Sequence, residues 1–152
     1  MSNQDPKILI VDDDAGTART TAMILDRKGY AVETAENGLE AIKRVEQQNF
    51  DVILLDIKMP FMNGVETHRR IKDIRPDTTV VMITAYAVET LIQQALDDGA
   101  YGIMYKPLDI DKMIALIEKA RQKRESALVL VVDDDPVTCE TFRGILEDKG
   151  YQ

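Results

Sequence analysis

Short, continuous apolar segments alternate along this chain with longer segments of helical period. Four apolar segments are about four residues long and rich in β-branched side chains, at residues 8–11, 52–55, 80–83 and 103–105. A continuous apolar run is typical of a strand buried on both faces of a parallel sheet. A fifth segment, residues 31–34, is more polar, which favours an edge strand. The pattern therefore predicts an α/β fold.

The intervening segments carry apolar side chains at the spacing of an amphipathic helix. In one of them the apolar residues fall at i, i+3, i+4, i+7 and i+8: Val88, Leu91, Ile92, Ala95 and Leu96. Gly29 ends the first such segment, and Asn-Gly pairs at 37–38 and 63–64 open two others. Five strands and five helices in alternation predict a parallel sheet with right-handed crossovers and helices on both faces.

Composition excludes several classes of protein. The chain has 152 residues, 45% of them hydrophobic, which suits a folded domain. A net charge of −8 disfavours direct binding to nucleic acid. One cysteine and one histidine exclude an internal disulfide and a zinc site made from these residue types. Without a signal peptide or a membrane-length apolar run, we expect a cytoplasmic protein with no membrane partner.

An internal repeat divides the chain. After a shift of 121 residues, residues 8–30 align with residues 129–151 without a gap, and 12 of the 23 pairs are identical. The identical pairs include three consecutive aspartates and a Lys-Gly-Tyr triplet. The repeat predicts one whole module at residues 5–124, a linker at 125–127, and the first strand and helix of a second, incomplete module at 128–152.

Polar side chains follow four of the predicted strands at their carboxyl ends. They are Asp12, Asp13 and Asp14 after the first strand, Asp56 after the third, Thr84 after the fourth and Lys106 after the fifth. The carboxyl ends of parallel strands meet at one edge of the sheet. Clustered carboxylates repel each other unless a cation offsets their charge, and Mg²⁺ prefers such oxygen ligands. Carboxylates, Mg²⁺, an ammonium and a hydroxyl together indicate a site that handles phosphoryl groups.

Five motifs in this order resemble the receiver domain of bacterial two-component response regulators, over nearly all of residues 6–124. They are Ile10-Val11-Asp12-Asp13, the segment from Asp51 to Pro60, Asn63-Gly64, Ile83-Thr84-Ala85 and Lys106-Pro107. The resemblance implies a flavodoxin-like sheet with strand order 2-1-3-4-5. It also implies a cis peptide bond before Pro107.

The resemblance implies a role for each site residue. Asp56 would accept a phosphoryl group from a phosphohistidine on a histidine kinase or a histidine phosphotransfer protein. Asp12, Asp13, Asp56 and the backbone carbonyl of Lys58 would hold Mg²⁺, with Mn²⁺ able to substitute.

Thr84 and Lys106 would bind the phosphoryl oxygens and shift the region between the fourth strand and the fourth helix. Such a domain catalyses only its own phosphorylation and dephosphorylation, so we expect a regulatory domain and not an enzyme. The output domain would lie outside this chain.

Two other functions compete with this interpretation. A Mg²⁺-dependent phosphatase with an aspartate nucleophile resembles an Asp-x-Asp motif, whereas this chain has Asp56-Ile57-Lys58. An interaction module that no longer accepts phosphate would not need the intact set of acids, hydroxyl and ammonium. Labelling with acetyl phosphate in the presence of Mg²⁺ separates these functions.

Several polar and apolar residues near these motifs have structural interpretations. We expect Asp14 to cap the first helix or face solvent, and Asp51 to be structural because it opens its strand at the opposite end of the sheet. We expect His68 to lie on a solvated helix face beside two arginines. Met59 and Met62 flank the acceptor loop, and the sequence leaves open whether they belong to the core or to a partner surface.

One position departs from the family pattern. Receiver domains usually have tyrosine or phenylalanine three residues before the lysine, where this chain has Ile103. Of the neighbouring tyrosines, Tyr105 shares the strand face of Ile103 and Tyr101 does not. The phosphorylation chemistry does not depend on this position, but the usual aromatic response to it does.

The apolar residues 128–132 predict a strand that must dock on something, because one strand and one helix cannot fold alone. One option places it parallel beside the fifth strand of its own chain. The other exchanges the tail between two chains and gives a tail-mediated homodimer. We expect the exchange, because the short junction leaves little slack for a return to the parent sheet.

Overall fold

The computed structural model describes residues 5–85 and 88–122, together with the backbone of residues 130–132. Strands and helices alternate through these residues. In chain order they are β1 (Lys7–Val11), α1 (Ala15–Arg27), β2 (Ala31–Ala35), α2 (Gly38–Gln47), β3 (Val52–Asp56), α3 (Gly64–Ile74), β4 (Thr79–Thr84), α4 (Glu89–Asp97), β5 (Gly102–Tyr105), α5 (Ile110–Gln122) and β6 (Leu130–Val132). The predicted linker at 125–127 and most of the predicted second module lie outside the described residues.

All the strands are parallel, and their order across the sheet is β2-β1-β3-β4-β5-β6. The first five have the predicted order 2-1-3-4-5, which confirms the doubly wound, flavodoxin-like fold. β2 lies at one edge, as its polar sequence predicted. The inner strands β1, β3 and β4 are buried at nearly every position, in agreement with their continuous apolar runs.

The sheet has a hydrophobic core on each face. Alternate residues of each strand point to opposite faces, so Leu9 and Val11 pack with α2, α3 and α4, while Ile8 and Ile10 pack with α1 and α5. Tyr30 connects the two helices of the second face. Its backbone N–H donates to the Leu25 carbonyl oxygen of α1 at 3.2 Å, and its hydroxyl donates to Glu118 of α5 at 2.5 Å. Among the described residues, no helix has both the length and the apolar character that crossing a bilayer requires.

α1, α2 and α3 each have a side-chain cap at the end that faces the carboxyl edge of the sheet. Asp14, Asn37 and Asn63 accept backbone N–H groups of the first turns of α1, α2 and α3 at 2.8 to 3.1 Å. Such caps satisfy N–H groups that have no partner inside the helix. Asp14 is therefore the helix cap that the sequence predicted.

The C-terminal strand β6 pairs with β5 of the same chain. Its register runs from Gly102 opposite Leu130 to Met104 opposite Val132. This is the intramolecular alternative for the tail, whereas the expected exchange of tails between two chains stays a prediction. The chain needs little slack because α5 itself returns it to the amino end of the sheet. From there β6 runs parallel to β5 and covers the open edge.

The buried location of His68 also differs from the expectation. His68 is fully buried in α3, not solvated. α3 packs between α2 and α4, so more of its circumference is covered than on an outer helix. His68 stands three residues from both Val65 and Ile71, which are buried as well, and this helical spacing is the signal that could have predicted its burial.

Candidate phosphoryl-acceptor site

Four strands deliver the predicted site residues to the carboxyl edge of the sheet, here called the rim. β1 and β3 are neighbours with Val11 opposite Leu55, so Asp12 and Asp56 come next to each other. β4 and β5 are also neighbours, with Thr84 opposite Tyr105. Lys106 follows directly, and its backbone N–H donates to the Thr84 carbonyl oxygen at 2.9 Å.

Three carboxylates converge at the rim. One oxygen from each of Asp12, Asp13 and Asp56 lies within 4.8 Å of the other two. Asp12 and Asp56 are each only 5% exposed, whereas Asp13 is exposed at the mouth of the cluster. Asp14 is exposed and stays outside the cluster because it caps α1. The structure therefore brings Asp12, Asp13 and Asp56 together.

Lys106 joins the cluster through two hydrogen bonds. Its Nζ donates to Asp12 Oδ2 at 2.9 Å and to Asp56 Oδ2 at 3.0 Å. Burial disfavours the ammonium, but the two carboxylates outweigh this effect and raise the pKa of Lys106 above its ordinary value. The Lys106–Pro107 peptide bond is cis, as the resemblance implied. The bond from Lys106 to Asp12 was not predicted from the sequence.

The charge on Asp56 is only partly stabilised. Burial raises the pKa of the Asp56 carboxyl, and the Asp12 carboxylate adds to the rise, although the Lys106 ammonium acts in the opposite direction. The backbone N–H of Lys58 donates to Asp56 Oδ1 at 3.2 Å, and that of Asp14 donates to Asp12 Oδ1 at 2.9 Å. Backbone donors thus orient both buried carboxylates toward the centre of the site.

The remaining predicted residues lie where their strands end. Thr84 is buried at the last position of β4, beside the Asp56 strand. Lys58 is exposed in the loop after β3, and its backbone N–H is the group that contacts Asp56. Ile103 is fully buried in the core, and Tyr105 packs against the same cluster, in agreement with their shared strand face.

The donor set fits a hard divalent cation. It consists of carboxylate oxygens, and the three carboxylates carry more negative charge than the Lys106 ammonium offsets. Excess negative charge held within a few ångströms is unfavourable unless a cation or a proton offsets it. Oxygen ligands that leave room for water suit Mg²⁺ in particular.

The loop between β3 and α3 contains a residue that sequence reasoning missed. Met59 and Met62 are both buried, which assigns them to the core and settles the question left open by the sequence. Phe61 lies between them and is fully exposed. A large aromatic side chain after a proline, in a loop that begins at the acceptor, was the available signal.

Comparison with known proteins agrees with this geometry. The family model of the response regulator receiver domain matches residues 8–118. The transcriptional regulatory protein ZraR of Escherichia coli K12 is 39% identical over 121 residues, which are 79% of this chain and 27% of that protein. Sporulation initiation phosphotransferase F of Bacillus subtilis is 37% identical over 113 residues, which are 74% of this chain and 91% of that protein. The matched part of this chain covers about a quarter of the length of the first curated relatives.

Solved structures show the same fold. A CheY-like receiver domain from Methanospirillum hungatei JF-1 matches with a TM-score of 0.77 and 32% identity, over 80% of this chain and 97% of that one. A response regulator from Burkholderia pseudomallei, solved with a phosphorylated aspartic acid and a calcium ion, matches with a TM-score of 0.70 and 27% identity, over 97% of this chain and 88% of that one. The acidic rim, the sheet order and the family match lead to one conclusion: this chain belongs to the response regulator receiver domains.

Proposed function

We propose that this chain is a phospho-accepting signalling switch in which Asp56 receives a phosphoryl group from a phosphohistidine. The donor is a histidine kinase or a histidine phosphotransfer protein. The observation that carries the proposal is the buried Asp56 carboxylate, which lies beside two further carboxylates and accepts a hydrogen bond from Lys106 at 3.0 Å.

The transfer itself is a displacement at phosphorus. An Asp56 oxygen attacks, the bond between phosphorus and the histidine nitrogen breaks, and the imidazole leaves with the bonding electron pair. Both the carboxylate and the phosphoryl group are anionic, so cationic groups at the site must offset their repulsion. Lys106 already contacts Asp56 and lies where it can pair with a phosphoryl oxygen. The Thr84 hydroxyl is proposed to bind a second oxygen.

A divalent cation completes the proposed site. Asp12, Asp13 and Asp56 would hold Mg²⁺ together with the backbone carbonyl of Lys58, and Mn²⁺ is proposed as a substitute. When bound, the cation neutralises charge on the transferring oxygens. The excess of carboxylates over ammonium groups in the cluster supports this part of the proposal.

Phosphorylation is proposed to change the region between β4 and α4. The product adds up to about two negative charges at Asp56, next to the last residue of β4. Lys106 and Thr84 belong to adjacent strands joined by a backbone hydrogen bond, so a new bond to the phosphoryl group pulls on both strand ends. Lys106→Ala should therefore still be labelled to some extent, while losing the structural response.

Hydrogen exchange of residues 80–100 with and without beryllofluoride, a phosphoryl mimic, measures that response. The parent protein should show a change in exchange that Lys106→Ala lacks. Equal responses in the two proteins would remove Lys106 from this role.

The deciding experiment for the whole proposal is labelling by acetyl phosphate. The parent should incorporate one acid-labile phosphate per chain in Mg²⁺ and none in a chelator, and Asp56→Asn should incorporate none. Asp51→Asn is the matched control, because Asp51 begins the same segment at the opposite end of the sheet, where it accepts the Lys7 backbone N–H at 2.7 Å. Labelling of Asp56→Asn at the parent level would refute the proposal.

The same samples test the rival phosphatase function. Steady hydrolysis of a small phosphoester such as p-nitrophenyl phosphate would favour an enzyme, and a single stoichiometric labelling favours a regulatory domain. Lys58 occupies the position where such phosphatases have a second carboxylate, which supports the regulatory function.

The tail keeps its proposed identity as the start of a second receiver domain on the strength of the sequence repeat alone. The family match ends at residue 118 and gives the tail no support. The tail-mediated homodimer, the separate output domain and the cytoplasmic location also stay predictions.

A further inference from the structure

Phe61 is the most exposed large hydrophobic side chain of the described residues. Its side chain is fully exposed, whereas those of Met23 and Leu39, the next in order, are 53% and 60% exposed. Burial of a phenylalanine side chain lowers the free energy of the folded protein, so its full exposure to water is unfavourable. The Phe61 side chain therefore contributes nothing to the packing of the described residues.

The backbone at Phe61 is strained as well. Its φ is +69°, and it is the one residue other than glycine with a positive φ among those the structure describes. The N–H of Met62 donates to the carbonyl oxygen of Pro60 at 2.8 Å, so Phe61 is the central residue of a tight three-residue turn. Such turns with positive φ are rare, and strained residues of this kind occur mainly at functional sites. Glycine would adopt this turn without strain.

The loop that carries Phe61 is fastened at both ends. The N–H of Gly64 donates to the Ile57 carbonyl at 2.7 Å, and a Cβ on Gly64 would lie only 2.2 Å from the Asp56 carbonyl oxygen. Met59 and Met62, on either side of the turn, are buried. Phe61 is therefore presented in a defined position, a few residues from the phosphoryl acceptor.

We propose that Phe61 is the apolar anchor for the protein that donates the phosphoryl group. The inference rests on the function proposed above. Asp56 is only 5% exposed, so a donor histidine reaches it only when the donor's surface presses against the loops of the rim, including the loop of Phe61. An aromatic side chain that is held in place before binding loses little entropy on contact, and such residues dominate binding energy.

The proposed partner is a protein with an apolar pocket beside its phosphohistidine. The rim around Phe61 exposes the acids Asp13 and Asp14, so the donor surface next to that pocket should be basic or neutral. A small donor such as acetyl phosphate has no surface that reaches Phe61. Protein donors and small donors should thus respond differently to changes at this residue.

The test compares Phe61→Gly and Phe61→Asn with the parent protein. Both replacements tolerate positive φ, so they should fold at least as stably as the parent. The protein probe is an autophosphorylated histidine kinase, selected from a panel as the fastest donor to the parent chain, and the small probe is acetyl phosphate. We expect kcat/KM for transfer from the kinase to fall at least about tenfold, mainly through KM. Labelling by acetyl phosphate should stay within about twofold of the parent.

Two further variants make the result specific. Phe61→Leu keeps an apolar side chain and should recover part of the transfer rate. Met23→Ala removes an exposed apolar side chain from α1 that lies farther from the rim, and it should transfer at the parent rate.

Transfer from the kinase at the parent rate in Phe61→Gly and Phe61→Asn would overturn the inference while leaving the proposed function intact. An equal loss with acetyl phosphate would also overturn it, because Phe61 would then act on the acceptor and not on the donor. If the parent itself is labelled by neither donor, the proposed function fails and the inference fails with it.

Discussion

Asp12 and Asp56 at the rim and His68 in α3 are buried ionisable side chains, and their surroundings stabilise charge to different degrees. At the rim, the carboxylates accept hydrogen bonds from Lys106 and from backbone N–H groups. Neither ring nitrogen of His68 has a hydrogen-bond partner among the described residues. Burial lowers the pKa of His68 to about 4, with Lys72 and Arg69 contributing and Asp98 opposing.

The difference shows which buried group is available for chemistry. A buried charge persists only where partners replace the lost hydration, and otherwise the group becomes neutral. The carboxylates of the rim therefore have hydrogen-bond partners for their charge, while the imidazole of His68 behaves as a packing group. The effects on stability also have opposite signs, since acidification disfavours the fold through His68 and favours it through the raised pKa of Asp56.

The largest expected effect comes from removing the cation of the rim. Lys106→Ala leaves Asp12 and Asp56 without their shared ammonium and should lower the free energy of unfolding by about 2 kcal/mol in a chelator. Removing one partner of a fully buried ion pair costs about 3–5 kcal/mol of stability, and the partial exposure of Lys106 makes the expected cost smaller here. Added Mg²⁺ should restore much of the loss. Urea unfolding with and without Mg²⁺ measures both quantities.

Lys7→Ala is the control for this prediction. Lys7 pairs with Glu33 at 3.7 Å, and both side chains are about a third exposed, so its removal should cost under about 1 kcal/mol. Mg²⁺ should not restore this smaller loss. A loss in Lys106→Ala that is equally insensitive to Mg²⁺ would contradict the view of the rim as a compensated charge cluster.

His68 should make the protein acid-sensitive. The unfolded chain takes up a proton near pH 6.5 and the folded chain only near pH 4, so stability is lost as the pH falls below about 6.5. Between pH 7 and pH 5 the parent should lose about 2 kcal/mol through this residue. The chain has one histidine, so the effect can be assigned to it. His68→Leu should abolish that part of the pH dependence in urea unfolding.

His68→Gln separates charge from packing. It has no group that titrates in this range, so its pH dependence should match that of His68→Leu even if its stability differs. A parent slope no steeper than that of the two variants would mean that His68 does not resist protonation.

The smallest expected effect on stability accompanies a specific loss of metal binding. Asp13→Ala should weaken Mg²⁺ binding at least about tenfold and change stability by less than about 0.5 kcal/mol, because it removes an exposed like charge from a crowded cluster. Asp14→Ala should do the reverse, with unchanged Mg²⁺ affinity and a loss of stability from the cap of α1. Calorimetric titration and urea unfolding distinguish the two variants, and equal Mg²⁺ affinities in them would reject the assignment of Asp13.

The alternation of strands and helices, the Asp14 cap and the members of the rim could be predicted from the residues because each depends on local signals, whereas the order of the strands was implied by the family resemblance. Continuous apolar runs indicate buried parallel strands, and the residues after such runs must lie at one edge of the sheet. This rule alone places Asp56, Thr84 and Lys106 at the same edge of the sheet. The structure differs from the sequence-based expectations where a residue's environment depends on elements far away in the chain.

By itself, the sequence determined the five-stranded α/β fold and which side chains could meet at the rim, because hydrophobic periodicity and strand ends are properties of short segments. Only the tertiary structure decided that Lys106 bonds Asp12, 94 residues away, as well as Asp56. It also decided that His68 is buried, that Phe61 is exposed in a strained turn, and that β6 covers β5. Burial and pairing depend on which surfaces pack together, and that is set by the whole arrangement of helices around the sheet.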